Sequence, residues 1–582
     1  MASSVETTRV PEPPASLFSD WSSSHSYLLL TALTLLSLLP FLGRAFHIDD
    51  PLFLWAGQQI QEHLLDPYGF QVVWDNYAQP MSEITKNPPL ACYYAALVGS
   101  IAGWSEPAMH LGFLVPALAL VLGTYRLATN FTHSPLLAAT FTLFTPGVMV
   151  SAAGVMCDTM MLSLWIWAAI FWIEGLGRNK QLYLATSSLL VGAAGLTKYY
   201  GFCLVPLLFF YSIARKRRGR LWAPYLLIPI ALLFGYQLWT SIKYGHAMFS
   251  QALEFSHSEQ GINGRASLFT SAIVGASFTG GCTLSTLFLS PFLWGWRKLS
   301  AGLLLAALCS TAFALGWISL GHNAIVVRES FQNSWISSAV QLTLAVATGI
   351  AVVALGLSEF RSWRQSNSLF LGLWVIGTFI FASFVNWSVN ARSIMPLIPA
   401  IGILIAQRFD KLGLNRSPRL QRNIALVLVL SGAVSLWVTK ADSDWANSVR
   451  QAAAIIQEQT KNQGGSVWFE GHWGFQYYMQ LSGARPMDFL KSQTKAGDSL
   501  IVPESNAVSY PLPSPQFVAS SALLELKLQQ PLFTMRWRRG ASFYSSFFGF
   551  LPFVFGPPAT EQYYVLRLAM PWDAHLTRTQ QN

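Results

Sequence analysis

Apolar runs follow one another from Tyr27 to Lys440, separated by short polar segments. A helix needs about 20 mostly apolar residues to cross a bilayer, so this pattern predicts repeated membrane spans. We expect thirteen spans, near residues 27–45, 107–128, 135–150, 159–176, 182–197, 201–214, 221–241, 269–294, 301–320, 338–358, 368–387, 393–407 and 423–440.

The composition supports a membrane protein and excludes several other classes. The chain is 52% hydrophobic and only 11% charged, whereas soluble domains carry about 25% charged residues. Its net charge of +10 lies in short clusters between apolar runs, so a nucleic-acid groove is not expected. The sequence has no P-loop, GxGxxG or HExxH motif, which argues against a nucleotide-driven pump and a zinc hydrolase.

The distribution of basic residues predicts the orientation of the chain. With the N-terminus inside, the inner loops hold most of the basic residues, including those of segments 215–220 and 408–422. This bias agrees with the positive-inside rule. Residues 90–104 are apolar enough for a short span, but a full crossing there would invert the bias. We therefore expect this segment to lie on the outer surface or to re-enter the membrane from it.

Three regions are predicted. Residues 1–26 are rich in Pro and Ser and should form a disordered cytoplasmic tail. Residues 27–440 should form an all-α polytopic domain with a long outer loop at 46–106. Residues 441–582 should form a small α/β domain outside the membrane, with a helix at 445–460 and strands at 466–470, 499–502, 532–537 and 562–568. The aromatic stretch Phe543–Phe555 is either a core strand or a loop at the lipid interface.

Several charged and polar residues fall at the outer ends of the predicted spans. Two adjacent carboxylates, Asp49 and Asp50, open the first outer loop. Asp50 precedes Pro51 and suits an N-cap, which leaves Asp49 without a structural role. The other candidates are Lys86, Asn87, Asp158, Lys198, His257, Arg328 and Arg392. Each has a structural alternative, namely a rigid turn, a helix cap, a snorkelling cation or an ordinary loop residue.

Carboxylates and cations on one side of a membrane suit sugar transfer from a lipid phosphate. A carboxylate can take a proton from the acceptor hydroxyl. Cations such as Lys198 and Arg392 can meet the phosphate at headgroup depth and neutralise its growing charge. The sugar carbon passes through an oxocarbenium-like state between them. Base and phosphate then lie on opposite faces of the sugar, so they should come from different loops.

At these residues the sequence resembles the GT-C membrane glycosyltransferases that use polyprenyl-phosphate sugars. These include protein O-mannosyltransferases, aminoarabinose lipid A transferases and the RgtA/B/C/D-like enzymes. The segments that resemble family motifs are Asp49–Asp50, Asn87–Leu90 with Asn87 in place of a basic residue, Asp158, Gly192–Gly201, His257 and Arg392–Pro399.

The resemblance implies a GT-C fold and Asp49 as the catalytic base. It implies substrate binding by Asp50, Lys86, Asn87, Asp158, Lys198, His257 and Arg392, and Arg328 of the outer loops is a further candidate for substrate binding. The donor would be a polyprenyl-phosphate sugar, and the acceptor a lipid, glycan or protein, in a bacterial inner membrane. No nucleic-acid partner is expected, and a divalent metal is left open. The alternatives are a transporter or lipid flippase, which would show internal repeats, and a non-catalytic docking protein.

Overall fold

The computed structural model describes residues 23–74, 77–215, 221–262, 266–321, 323–506 and 512–573. Most of the predicted tail, 1–26, lies outside these residues. The helices before the C-terminal region are α1 Ser23–Leu38, α2 Asp50–Glu62, α3 Met81–Ile84, α4 Leu90–Ala102, α5 Glu106–Ala128, α6 Pro135–Leu143, α7 Pro146–Ala152, α8 Cys157–Arg178, α9 Gln181–Thr197, α10 Leu204–Ala214, α11 Leu227–Tyr244, α12 Met248–Ile262, α13 Leu268–Cys282, α14 Ser285–Leu293, α15 Trp296–Ala314, α16 Asn323–Glu359, α17 Ser366–Ile380, α18 Ala391–Ile394 and α19 Ile398–Lys411.

Every predicted span contains helix, but fewer spans are supported than the thirteen expected. Among the described residues, nine helices are long and apolar enough to cross a membrane, and eleven spans result if each of two bent pairs is counted once. The bent pairs are α6 with α7 and α13 with α14, at 62° and 92°. The two further predicted spans correspond to α9, with 17 residues, and α10, with 11. Both are shorter than the roughly 20 residues that a bilayer requires.

Small residues bring two of the long helices into backbone contact. A Cβ atom on Gly280 of α13 would overlap the carbonyl of Ala345 in α16. A Cβ atom on Gly349 would overlap the carbonyl of Ala276 in the same way. Close crossings of this kind are typical of membrane helices, where van der Waals packing replaces the hydrophobic effect as the force between helices.

The first outer loop is a folded layer of short elements. Helix α2 packs on α4, and a hairpin of β1 (Gln71–Val73) and β2 (Ala78–Pro80) lies between them in the chain. Gly57 of α2 approaches the backbone of Cys92 in α4, where a Cβ atom would lie 3.3 Å from the Cys92 carbonyl oxygen. Helix α4 has 13 residues and is about 20 Å long, too short for a crossing of about 30 Å. This length agrees with the expectation that 90–104 does not cross the membrane.

The C-terminal region grows out of a single helix, α20 (Pro418–Thr460), which has 43 residues and is about 65 Å long. The remaining elements are α21 Trp473–Leu481, β3 Val467–Phe469, β4 Arg485–Pro486, β5 Ser499–Pro503, β6 Val518–Leu528, β7 Leu532–Phe533, β8 Met535–Arg536, β9 Ala541–Ser542, β10 Val554–Phe555 and β11 Ala559–Leu568. Five strands form one sheet in the order β4-β3-β5-β11-β6, in which β3 is parallel to β4 and β5, and β11 is antiparallel to β5 and β6.

The aromatic stretch Phe543–Phe555 forms neither the core strand nor the lipid-facing loop that the sequence suggested. Between β9 and β10 it is irregular and mostly buried against membrane helices. The ring of Phe550 lies 5.3 Å from Phe313 of α15 and 5.7 Å from Phe331 of α16, centroid to centroid. The stretch is apolar because it enters the helical domain.

Labelling from the two sides of the membrane tests the orientation. Lys180 lies in the loop between α8 and α9, and Lys461 follows α20; both are exposed. We expect Lys461→Cys to react with a membrane-impermeant maleimide in intact cells, and Lys180→Cys to react only after permeabilisation, because the positive-inside rule places 180 in the cytoplasm. Reaction of both cysteines from the same side would contradict this topology.

Candidate active site

Asp49 sits at a strained turn between α1 and α2. It is the residue before α2, yet its carboxylate makes no hydrogen bond to the start of that helix. The preceding residue, Ile48, is buried and has a φ of +49°. A β-branched residue rarely adopts this conformation, which costs about 1–3 kcal/mol. The strain turns the carboxylate of Asp49 away from its own helix and towards other elements.

Asp50 is not the helix cap that the sequence predicted. It is the first residue of α2, it is 1% exposed, and its carboxylate bonds away from the helix. Its Oδ2 accepts from the backbone N–H of His47 at 2.8 Å, and its Oδ1 accepts from that of Val155 at 3.0 Å. Burial raises the pKa of Asp50 to about 6. Asp50 therefore ties the first outer loop to the loop before α8.

Arg392 meets Asp49 from a distant part of the chain. It lies in α18, where Asn390 caps the helix by accepting from the backbone N–H of Ser393 at 2.8 Å. Its Nη1 donates to Asp49 Oδ2 at 3.1 Å and lies 3.0 Å from the sulfur of Met156. The guanidinium carbon lies 5.5 Å from the centre of the Tyr544 ring.

A second ion pair lies beside the first. Asp158, in the first turn of α8, is completely buried, and its Oδ1 accepts from Nζ of Lys198 at 2.5 Å. Lys198 follows the last residue of α9 and is 22% exposed. Asp158 also interacts electrostatically with Arg392. The Asp158 carboxylate therefore binds Lys198 instead of capping α8, and Lys198 is not an isolated snorkelling lysine.

The two pairs form one cluster of two carboxylates and two cations, which we call the charge cluster (Asp49, Arg392, Asp158 and Lys198). Its cations keep donors for a ligand. The Nε of Arg392 is buried and has no hydrogen-bond partner, and the ammonium group of Lys198 has three protons. Its carboxylates differ, because Asp49 has 28% of its side chain exposed and Asp158 only 1%.

Lys86 and Asn87 contact other partners. The Nζ of Lys86 lies 5.1 Å from the centre of the Phe255 ring in α12 and donates to the carbonyl of Glu83. The backbone carbonyl of Asn87 accepts from the Tyr68 hydroxyl at 3.0 Å. The turn that these two residues form is thus held against α12. No hydrogen bond or ion pair between it and the charge cluster is seen in the described part of the chain.

His257 and Arg328 are exposed, on α12 and α16 respectively. Neither joins the ion pairs of the charge cluster within the described residues. The metal left open by the sequence finds no site there either, because the described ranges contain no group of three or more His, Cys, Asp or Glu side chains that could hold an ion.

Sequence reasoning missed a buried network next to the charge cluster. Arg44 is 2% exposed, and its Nη2 donates to Asp442 Oδ2 at 2.6 Å. Asp442, on α20, also accepts from the hydroxyls of Tyr544 at 2.8 Å and Thr534 at 2.5 Å. The two charged residues are 398 positions apart in sequence, and no local pattern pairs them. The only sign of this network in the sequence was Arg44 itself, a single basic residue at the outer end of the first predicted span.

His47 borders this network but does not form an ion pair in it. Its Nε2 lies 3.9 Å from Asp442 Oδ1. Burial, together with the positive charge of Arg44, holds the pKa of His47 well below its usual value. The imidazole is therefore neutral, and Arg44 alone balances the charge of Asp442.

Comparison with known proteins gives a match to one enzyme family over part of the chain and a similar fold among solved structures. The sequence model of the family described as dolichyl-phosphate-mannose-protein mannosyltransferase matches residues 86–239, and this range includes Asp158 and Lys198. Among solved structures, ArnT from Cupriavidus metallidurans, bound to undecaprenyl phosphate, aligns with a TM-score of 0.51 and 12% identity over 83% of this chain and 94% of ArnT. The chain therefore has a fold similar to that of ArnT, and residues 86–239 match a family of mannosyltransferases.

Other solved structures align with this chain at lower TM-scores. The Archaeoglobus fulgidus oligosaccharyltransferase gives a TM-score of 0.47 at 12% identity, over 80% of this chain and 63% of that one. The mycobacterial arabinofuranosyltransferase AftD gives 0.43 at 13% identity, over 85% of this chain and 36% of AftD. The chain thus spans less than two thirds of the length of both proteins. No curated protein matches it. The predicted fold class, a polytopic GT-C helical protein with a small strand-containing C-terminal region, is confirmed.

Breaking the buried Arg44–Asp442 pair should destabilise the folded protein strongly. Arg44→Met leaves the Asp442 carboxylate buried without its cation, which costs about 3–5 kcal/mol in the free energy of unfolding. Lys440→Met is the matched control, because Lys440 lies on α20 two residues before Asp442 and pairs with Asp444 at the surface, where its side chain is 54% exposed. An exposed pair of this kind contributes only about 0.3–0.5 kcal/mol. Denaturant titration in detergent micelles measures both, and equal losses would contradict the assigned role of Arg44.

Proposed function

We propose that the enzyme transfers a sugar from a polyprenyl-phosphate donor to a lipid, glycan or protein acceptor at the outer face of the membrane. The observation that carries the proposal is the charge cluster, in which a partly exposed carboxylate and two cations with spare donors converge from different parts of the chain. The undecaprenyl phosphate bound to ArnT and the family description, which names dolichyl-phosphate-mannose, both support a polyprenyl-phosphate donor.

Asp49 is the better candidate for the general base. A base must reach the acceptor hydroxyl directly or through one water, and Asp49 has 28% of its side chain exposed. Asp158 is inaccessible, and its carboxylate is engaged by Lys198 at 2.5 Å. In this assignment, Asp158 fixes the ammonium group of Lys198, and Asp49 takes the proton.

Lys198 and Arg392 are the candidates for holding the phosphate. Both cations already have one carboxylate partner, which offsets the cost of placing them near the membrane. The unpartnered Nε of Arg392 gives that side chain a donor for an anionic oxygen. Guanidinium and ammonium groups that stand in place before the reaction stabilise charge as it develops, without reorganising.

The reaction is a single displacement. The acceptor hydroxyl loses its proton to Asp49 as its oxygen forms a bond to the anomeric carbon. The bond between that carbon and the phosphate oxygen breaks, and its electron pair leaves with the polyprenyl phosphate. Lys198 and Arg392 neutralise the charge gained by the phosphate. The products are the glycosylated acceptor, the free polyprenyl phosphate and a proton on Asp49, which passes to solvent.

The proposed setting follows from the same residues. The partners are the lipid-linked donor, the surrounding membrane lipids and the acceptor. We place the enzyme in a bacterial inner membrane with its N-terminus in the cytoplasm and residues 441–573 outside. This orientation rests on the clustering of basic residues in the inner loops and puts the charge cluster at the outer surface, level with lipid headgroups.

Replacing Asp49 tests the role of the base. Asp49→Asn keeps the shape of the side chain and removes its basicity. General-base catalysis contributes about 100- to 10,000-fold, so we expect turnover to fall by at least about 100-fold while donor binding stays near normal. Transfer of label from a radioactive polyprenyl-phosphate sugar in proteoliposomes gives kcat. Near-normal turnover of Asp49→Asn, together with loss of turnover in Asp158→Asn, would move the base to Asp158.

Removing the cations tests the phosphate site. Lys198→Met and Arg392→Met each delete one positive charge and should weaken binding of polyprenyl phosphate, since charge-assisted hydrogen bonds contribute about 1.5–3 kcal/mol each, or about 10- to 100-fold in Kd. Lys461→Met is the matched control, because Lys461 is exposed directly after α20 and lies outside the charge cluster. Unchanged affinity in both Lys198→Met and Arg392→Met would exclude them from the site.

A further inference from the structure

The C-terminal region reaches into the charge cluster through its aromatic segment. Residues 543–546 lie alongside residues 389–391, which lead directly into Arg392. The backbone N–H of Ala391 donates to the carbonyl of Phe543 at 3.0 Å. The backbone N–H of Ser546 donates to the carbonyl of Val389 at 2.8 Å, and the Ser546 hydroxyl accepts from the backbone N–H of Val389 at 3.1 Å. Arg392 is thus attached to the C-terminal region on its N-terminal side.

Tyr544 is the residue of this segment that faces Arg392. Its ring centre lies 5.5 Å from the guanidinium carbon, within the range of a cation–π interaction. Its hydroxyl donates to Asp442 at 2.8 Å and accepts from Arg44 Nη2 at 3.3 Å. Tyr544 is 7% exposed, so both ends of the side chain are fixed inside the protein.

The guanidinium is also engaged through its Nη1. Nη1 of Arg392 contacts Asp49 Oδ2 at 3.1 Å and the Met156 sulfur at 3.0 Å, whereas its Nε has no hydrogen-bond partner. The ring of Tyr544 therefore helps to fix the plane of the guanidinium without using any of its N–H donors. A hydrogen-bonding residue in the same position would take a donor that a ligand could use.

We propose that Tyr544 is a positioning residue for Arg392, so that the C-terminal region completes the donor-phosphate site. The Arg44–Asp442 pair holds the Tyr544 hydroxyl, the Tyr544 ring orients the guanidinium, and the free donor of Arg392 is presented to the phosphate. This inference rests on the proposed role of Arg392 in binding the donor. It assigns to residues 543–546 a part in substrate binding that their position in sequence, more than 150 residues after Arg392, does not suggest.

Binding of undecaprenyl phosphate to the full-length protein in nanodiscs tests the proposal. Tyr544→Leu removes the ring face, and Tyr544→Phe keeps the ring but removes its hydroxyl anchor. We expect Kd to rise by about 3- to 30-fold for Tyr544→Leu and by less for Tyr544→Phe. In an Arg392→Met background, Tyr544→Leu should cause no further loss. Tyr564→Leu, a tyrosine of β11 without contact to Arg392, is the control for damage to the C-terminal region.

The outcomes separate this inference from the function on which it rests. An affinity of Tyr544→Leu within about twofold of the wild type, or losses that multiply in the double variant, would overturn the proposal. If Tyr544→Leu does not fold, Tyr544→Met, which also removes the ring, is measured in the same two backgrounds against the same criteria. If the wild-type protein does not bind undecaprenyl phosphate, the proposed function fails. The double-mutant cycle is then measured by thermal unfolding. Additive losses of stability would show that Tyr544 and Arg392 do not interact, and coupled losses would support their contact.

Discussion

Two buried carboxylates of this protein, Asp158 and Asp442, each lie beside a cation. An unpaired buried charge costs several kcal/mol, so the burial of Asp158 and Asp442 requires Lys198 and Arg44. These pairs join elements that are far apart in the chain. Asp158–Lys198 links α8 to α9, Asp49–Arg392 links the first outer loop to α18, and Arg44–Asp442 links that loop to α20. Charge pairing thus sets the arrangement of the elements around the site.

The same pairing explains why the C-terminal region cannot be treated as a separate appendage. Helix α20 passes without a break from the membrane domain into this region. The start of α21 packs directly on the first outer loop, because Gly474 has no side chain to separate it from the backbone of Phe46. Tyr478 supports the contact by accepting from the backbone N–H of Phe46 at 2.8 Å. The strained turn at Ile48 follows two residues later, so the C-terminal region helps to hold Asp49 in place.

Much of the fold could be predicted from the sequence because membrane spans are encoded locally. Long apolar runs and the strands at 499–502 and 562–568 have local signals, and the corresponding elements are present. Strand β6 was missed because its sequence, with Ala, Leu, Glu and Lys, favours helix; pairing with β11 decides its conformation. The thirteen predicted spans exceed the nine to eleven that helix length and composition support among the described residues, because apolarity alone does not reveal that α9 and α10 are short.

The site was predicted in part. Motif resemblance brought forward Asp49, Asp158, Lys198 and Arg392, which the structure brings together. It could not show that Asp50 bonds to His47 and Val155 instead of capping α2, because the loop before α8 is distant in sequence. Nor could it find Asp442 and Tyr544, whose roles depend on a partner about 400 and 500 residues away. Long-range partners of this kind are set by tertiary structure alone.

Photo-crosslinking with a polyprenyl phosphate tests the central claim most directly, since it reports where the donor's phosphate end lies. The probe carries a diazirine on the isoprene unit nearest the phosphate, and mass spectrometry maps the labelled peptides. The account predicts labelling around residues 156–158 and 390–395 that excess unlabelled polyprenyl phosphate suppresses. Labelling confined to other segments, or labelling that competition does not reduce, would show that the charge cluster is not the donor site.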